Sequence, residues 1–220
     1  MSSNPADGRP AVLAALDRLE HDADCFTGMA LDALSEPDRV AVLCRLSRIA
    51  RKFAARGYDV VNQLVEQATP TDIGGPLALV LADRLSMTPA GARRVIREAA
   101  DVGARRAITG EPLAPRLGST ADNLHRGAIG VEHVAVIRGF FGQLPDHVPA
   151  AAREKAEQML GGFAAELRPD QLRIAAAHLA ARLNPDRTQQ AIVHDTRSAC
   201  QRAHDALTAA CTLWHSQPHQ

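Results

Sequence analysis

The chain has 220 residues, of which 46% are hydrophobic, 23% charged and 3% aromatic, and its 25 basic and 25 acidic side chains cancel. This length buries a core without disulfides, and the neutral balance excludes a broadly basic nucleic-acid coat while leaving room for a local basic patch. No apolar run reaches the length of a bilayer span, and the polar start, with Pro5, Gly8 and Pro10, has no secretory h-region, so a cytoplasmic location is expected.

With so few aromatics the core must come from Leu, Val, Ile and Ala, which favours close-packed helices. The four cysteines, Cys25, Cys44, Cys200 and Cys211, form no C-x-x-C pair and call for no disulfide framework. Only Lys52 and Lys155 are lysines. The Arg- and Ala-rich composition reads as coding bias, so placement of arginines carries more information than their number.

In chain order, residues 1–8 read as a disordered lead. Val12, Leu13, Leu16 and Leu19 give a helix over 9–24. Ser35-Glu36-Pro37-Asp38 opens a long helix, with Ser35 as cap and Pro37 in the first turn. It runs toward Gln67 with Val42, Leu46, Ile49, Phe53, Val60 and Leu64 as its apolar face, and Gly57 interrupts it. Residues 69–76 read as a loop, 77–85 as a short helix, and Thr88-Pro89 as the start of a helix reaching about Arg106. The longest loop covers 109–119. Helices follow near 119–127, 131–143, 149–166 and 169–183, and Asn184-Pro185-Asp186 is a stop. A last amphipathic stretch runs from 188 to 214. No Val/Ile/Thr alternation supports a strand. The fold class is an all-α multi-helix array containing a helix-turn-helix-like hairpin, with a C-terminal amphipathic helix.

The first candidate site is Leu81 to Ile96, laid out as short helix, tight turn and capped second helix. Leu81, Leu85, Met87, Ala92, Val95 and Ile96 can fill the space between the helices, and Arg93, Arg94 and Arg97 fall on the outer face. Three guanidiniums there suit phosphate contact and guanine readout. The turn carries Ser86 where Gly is easiest. The competing reading is an ordinary hairpin with a solvated arginine face. A second feature is the stripe Arg45, Arg48, Lys52 and Arg56 on the long helix. It supports DNA backbone contact or, in the plainer reading, covers the core edge with its stems.

In the tail, Cys200 with His204 and Cys211 with His215 each have i,i+4 spacing. On one helix the two pairs lie about 16 Å apart, so no metal site is assigned. Val193, Cys200, Leu207 and Trp214 repeat every seven residues, as in a packing seam. There is no G-x-S-x-G turn and no Gly-rich phosphate loop. His133 reads as a helix-boundary residue and His178 as structural. No catalytic residue and no cofactor are assigned.

Several segments together carry a resemblance: Leu113-Ala114-Pro115-Arg116-Leu117, Ala128-Ile129-Gly130-Val131-Glu132-His133-Val134, Val136-Ile137-Arg138-Gly139-Phe140-Phe141, Leu144-Pro145 and Leu183-Asn184-Pro185-Asp186. With the Thr88-to-Ile96 helix they resemble the mycobacterial thirteen-E-twelve repeat family over roughly residues 30–186. Its N-terminal half is a helical actinobacterial domain of unknown function, number 222. The resemblance implies an HNH endonuclease domain next in the chain, with a His base and a His/Asn metal set on a ββα frame. Here the likeness stops after Asp186, and the sequence of the tail has no strand-like segments and no His-Asn-His series. It implies ancestry beside a nuclease in a mobile-element-linked sequence, with the reading frame cut short or shifted near Arg187.

The expected organisation is a helical domain over 9–186 and a divergent helical tail over 187–220. The expected function is a non-catalytic, nuclease-associated helical module that binds DNA through Arg93, Arg94 and Arg97, helped by Arg45, Arg48 and Lys52. The alternatives are an interaction or homo-oligomerisation module using the C-terminal seam, or a remnant without a function of its own. No membrane partner or small-molecule substrate is expected.

Overall fold

The structure is a computed structural model that describes residues 5–107 and 109–184, with side chains from Gly8 onward. The tail stretch over 187–220, with its seam and its Cys/His pairs, lies outside the described residues. Among those described, nine helices and one two-residue ladder make an all-α array. The chain divides into two compact units, one ending at Ser47 and the next starting at Arg48.

The first unit holds helix α1, Pro5–Thr27, and the start of helix α2, Glu36–Gln67. α1 begins at Pro5, inside the expected lead, and continues past Pro10. Before α2, Ser35 and Asp38 exchange bonds: the Ser35 amide donates to Asp38 Oδ2 at 3.3 Å and the Asp38 amide donates to Ser35 Oγ at 3.3 Å. This reciprocal cap satisfies two donors that the helix start leaves open. No described side chain of the first unit is buried.

The second unit takes the rest of α2, which is helical through Gly57. Its buried face is not the expected one. Leu46, Ile49, Phe53 and Val60 remain 40–51% exposed, while Ala55, Tyr58, Asp59, Val61 and Asn62 are buried. The reason is polar. Asp59 Oδ1 accepts from the Ala104 amide at 2.8 Å and Asn62 Nδ2 donates to the Ala104 carbonyl at 3.0 Å. These bonds turn α2 by nearly half a turn relative to its apolar stripe.

Residues 69–76, expected as loop, contain the four-residue helix α3, Pro70–Ile73, in a capping box between Thr69 and Asp72. Helices α4, Leu77–Arg84, and α5, Pro89–Val102, follow as a hairpin. α5 stops at Val102, short of Arg106, because both backbone groups of Ala104 are taken by α2. Gly103 fits the same close approach. A Cβ there would lie 2.7 Å from the Ala99 carbonyl oxygen, 2.8 Å from that of Tyr58 and 2.9 Å from Asn62 Nδ2.

Arg105–Arg106 (β1) and Pro112–Leu113 (β2) then pair antiparallel, Arg105 opposite Leu113. No strand was expected there, and two residues are too few for alternation to register. Helices α6, Gly118–His125, α7, Val131–Gln143, α8, Ala150–Glu166, and α9, Pro169–Leu183, complete the unit. α6 packs on α8 and α7 on α9 around Leu124, Ile129, Val134, Ile137, Leu160 and Leu172, all fully buried.

Gly103→Ala is expected to destabilise the chain by about 1–3 kcal/mol, the usual cost of forcing extra volume into a filled site. Urea unfolding followed by circular dichroism measures it; an unchanged midpoint would show that α2 and the end of α5 are not in this close contact.

Candidate nucleic-acid interface

The α4–α5 hairpin is built from local rules. α4 closes when the Leu85 amide donates to the Leu81 carbonyl at 3.0 Å and the Met87 amide to the Ala82 carbonyl at 3.0 Å. The second bond needs a left-handed residue between, and Ser86 supplies it with φ 52°. It is the one non-glycine residue with positive φ among those described. Thr88 then caps α5, its Oγ1 accepting from the Gly91 amide at 3.0 Å, and Pro89 occupies the first turn.

Leu81, Ala82 and Ala92 are buried in the hairpin, with Met87, Val95 and Ile96 packed beside them. Leu85, expected between the helices, is 54% exposed. It is the C-cap of α4, the last residue before the left-handed turn.

Arg93, Arg94 and Arg97 are all exposed on the outer face of α5. They are not equivalent. Arg94 Nε lies 3.8 Å from Glu98 Oε1. Glu98 is buried and accepts a 2.7 Å bond from the Tyr58 hydroxyl, with Arg138 Nη1 3.9 Å away. Arg138 Nε also donates to Asp101 Oδ2 at 2.7 Å, and Arg116 stands 3.7 Å from the other oxygen of Asp101. Burial, with the Glu98 carboxylate beside it, pushes the Tyr58 hydroxyl well above the usual phenol range. Tyr58 therefore stays a neutral donor to Glu98.

A second polar cluster lies one residue along α2. Asp59 is buried and accepts from the Ala104 amide, from His125 Nε2 at 3.1 Å and from Arg56 Nη1 at 3.3 Å. Burial works to raise its pKa, but these donors outweigh it and hold the carboxyl below its ordinary 3.8. His125 Nδ1 faces the Ala121 carbonyl at 2.9 Å. Both ring nitrogens thus meet acceptor oxygens, which suits the doubly protonated imidazolium. Burial works to lower His125, yet Asp59, Ala121 and Asp122 lift it above its ordinary 6.5.

On α2, Arg45, Arg48 and Lys52 are exposed, Arg45 in the first unit and the other two in the second. The stems of Arg48 and Lys52 lie against the turn at Gly127, φ 73°, where a Cβ would come within 2.8 Å of Arg48 Cγ and 3.2 Å of Lys52 Cγ. Arg51, between them, donates to the Ala128 carbonyl at 3.1 Å. Among the described residues no hydrogen bond or ion pair joins the α2 cations to the α5 arginines.

His133 is buried at the start of α7, accepting from the Gly130 amide at 3.3 Å and bonding the Leu167 carbonyl at 3.0 Å. It therefore donates through Nε2 and ties α7 to the end of α8. His178 is exposed on α9. A groove of about 660 Å³ runs between α7 and α9, with Glu132, Gln143, Asp170 and Arg173 at its polar edges. Among the described residues no three His, Cys, Asp or Glu side chains converge as metal ligands, and no helix is long and apolar enough to cross a membrane.

The family model described as Domain of unknown function (DUF222) matches residues 40–190. The chain belongs to this family. It is similar to the uncharacterized protein Rv1128c of Mycobacterium tuberculosis strain H37Rv, 45% identical over 159 residues, which is 72% of this chain and 35% of that protein. It is also similar to Rv1702cMb1728c of the same strain, 41% identical over 181 residues, or 82% of this chain and 40% of that one. Mb1179c of Mycobacterium bovis is 40% identical over 181 residues, again 82% of this chain and 40% of that protein. The chain spans about two fifths of the length of these relatives. No solved structure matches it.

Two outcomes follow from this DUF222 hairpin and its polar clusters. Ser86→Gly is expected to raise stability by about 1 kcal/mol, the cost an L residue bears in the left-handed region, read as a higher urea midpoint. His125 contributes stability that is fully present below pH 6.5 and is lost as pH rises through its raised folded value. Asp59 contributes above pH 3.8 and loses that contribution as pH falls through its depressed folded value. His125→Gln should therefore abolish the decline on the alkaline side of 6.5. Urea midpoints across pH for both proteins check this; parallel curves would refute it.

Proposed function

We propose that this chain is a non-catalytic DNA-associating module whose α4–α5 hairpin acts as a helix-turn-helix. The observation that carries the reading is the row of outward guanidiniums on α5, the second helix of a hairpin closed at a left-handed residue and capped by Thr88. Helix-turn-helix proteins place such a second helix in the major groove. Arginine there serves both phosphate and guanine.

In this reading Arg93 and Arg97 make the principal contacts. Arg94 divides its charge between DNA and Glu98. Arg48 and Lys52, with stems on the Gly127 turn and exposed heads, add phosphate contacts, and Arg45 adds a further one. The resemblance to proteins in which an HNH endonuclease domain follows this helical region supports a role near DNA. No residue here is assigned to bond cleavage.

The test is fluorescence anisotropy of a labelled duplex with the purified chain at two salt concentrations. Binding should weaken steeply with salt as counterions leave the phosphates. Arg93→Ala/Arg94→Ala/Arg97→Ala should weaken it by at least about tenfold and flatten the salt slope. No binding at low salt, or a triple variant that binds like the parent, would overturn the reading.

A further inference from the structure

Residues Met1–Ser47 form a compact unit without one buried side chain among those described. Yet its helices are not polar. Val12, Leu13, Leu16 and Leu19 of α1 are 43–57% exposed. Val12, Leu16, Leu19, Ala23 and Phe26 follow one another at alternating steps of four and three, the spacing of a helix that packs along another helix. α2 repeats it with Val42, Leu46, Ile49 and Phe53, of which the last three are 40–51% exposed. Among the described residues Phe26 and Val42 are half-buried and the other positions of both seams are exposed. Isolated helices of such lengths gain most of their stability from packing on an apolar face.

The charges beside the seams are opposite. From Asp17 to Asp24, α1 carries Asp17, Glu20, Asp22 and Asp24 against Arg18 alone. From Arg39 to Arg56, α2 has six basic residues and no acidic one. Two of the six are engaged, Arg51 with the Ala128 carbonyl and Arg56 with Asp59. Arg45 and Lys52 lie along one edge of the α2 seam, between it and the buried face.

We propose that the chain forms a homodimer in which α1 of each copy lies antiparallel along the exposed α2 seam of the other. In that alignment Val12 meets Phe53, Leu16 meets Ile49, Leu19 meets Leu46 and Ala23 meets Val42, so every position of the α2 seam finds its counterpart on α1. Asp22 then comes beside Arg45, both on the flank where antiparallel helices exchange charges. The occupant of each seam is thus a second copy of this chain. This goes beyond the DNA reading and does not depend on it.

The experiment is sedimentation velocity of the full chain over a concentration series. The parent should dimerise. Leu16→Glu/Leu19→Glu, at exposed positions outside the core of the second unit, should raise the dissociation constant by at least about tenfold. Asp22→Arg alone and Arg45→Asp alone should each weaken the dimer by placing like charges together at both interfaces. Mixing these two variants in equal amounts should restore association, because both interfaces of the mixed dimer then pair opposite charges. Only pairing between copies responds to mixing. A parent that is monomeric throughout the series overturns the proposal, as does a dimer indifferent to the Leu16/Leu19 change or a mixture that does not recover.

Discussion

Three buried carboxylates, Asp59, Glu98 and Glu157, determine where the helices of the second unit can lie. A charge taken from water must find donors or it destabilises the fold, and each of these finds them on another element. Asp59 takes the Ala104 amide just past α5 and the His125 ring on α6. Glu98 takes the Tyr58 hydroxyl from α2. Glu157, on α8, accepts from the Ser119 amide at 3.2 Å and from both the amide and hydroxyl of Thr120 at 2.7 Å. It thereby caps α6 from another helix, placing negative charge at the positive helix end. Apolar packing supplies the bulk of the core, but it is non-directional. These acids give it direction.

The same arrangement gives α5 two opposed roles. Its inner face joins small residues, Ala92 and Ala99, to the acid Glu98, so the helix approaches closely and is pinned by hydrogen bonds. Its outer face holds cations in solvent. Arg94 belongs to both, since it is exposed yet close to Glu98. The chemistry that holds the helix in place and the positive charge on its outer face are therefore coupled through one side chain.

The sequence made the helical punctuation legible because caps and prolines act locally. Ser35, Thr88, Pro149 and Pro169 mark helix starts within a residue or two of where they stand, and the outward arginines of α5 followed from simple periodicity. What escaped was non-local. The apolar stripe of α2 predicts a buried face, yet bonds from Asp59 and Asn62 to a residue more than forty positions away choose the opposite one. The early stop of α5 comes from those same bonds. Glu98 did leave a trace: it sits three residues after Val95 and four before Val102, a carboxylate inside an otherwise apolar face. Such a position signals a buried partner without naming it. Its partners Tyr58 and Arg138 come from two other helices, α2 and α7, and carry no shared spacing.

The uncovered first unit has a consequence for the lifetime of the chain. A segment with no buried side chain opens at little cost, and proteases enter where opening is cheap. Among the described residues α1 and the connector to α2 are then the point of entry, while the buried core of the second unit, held by its acids, resists. Whatever covers the leucines of α1 also shields that point of entry, so resistance to cleavage there depends on occupancy of that face and not on the stability of the core.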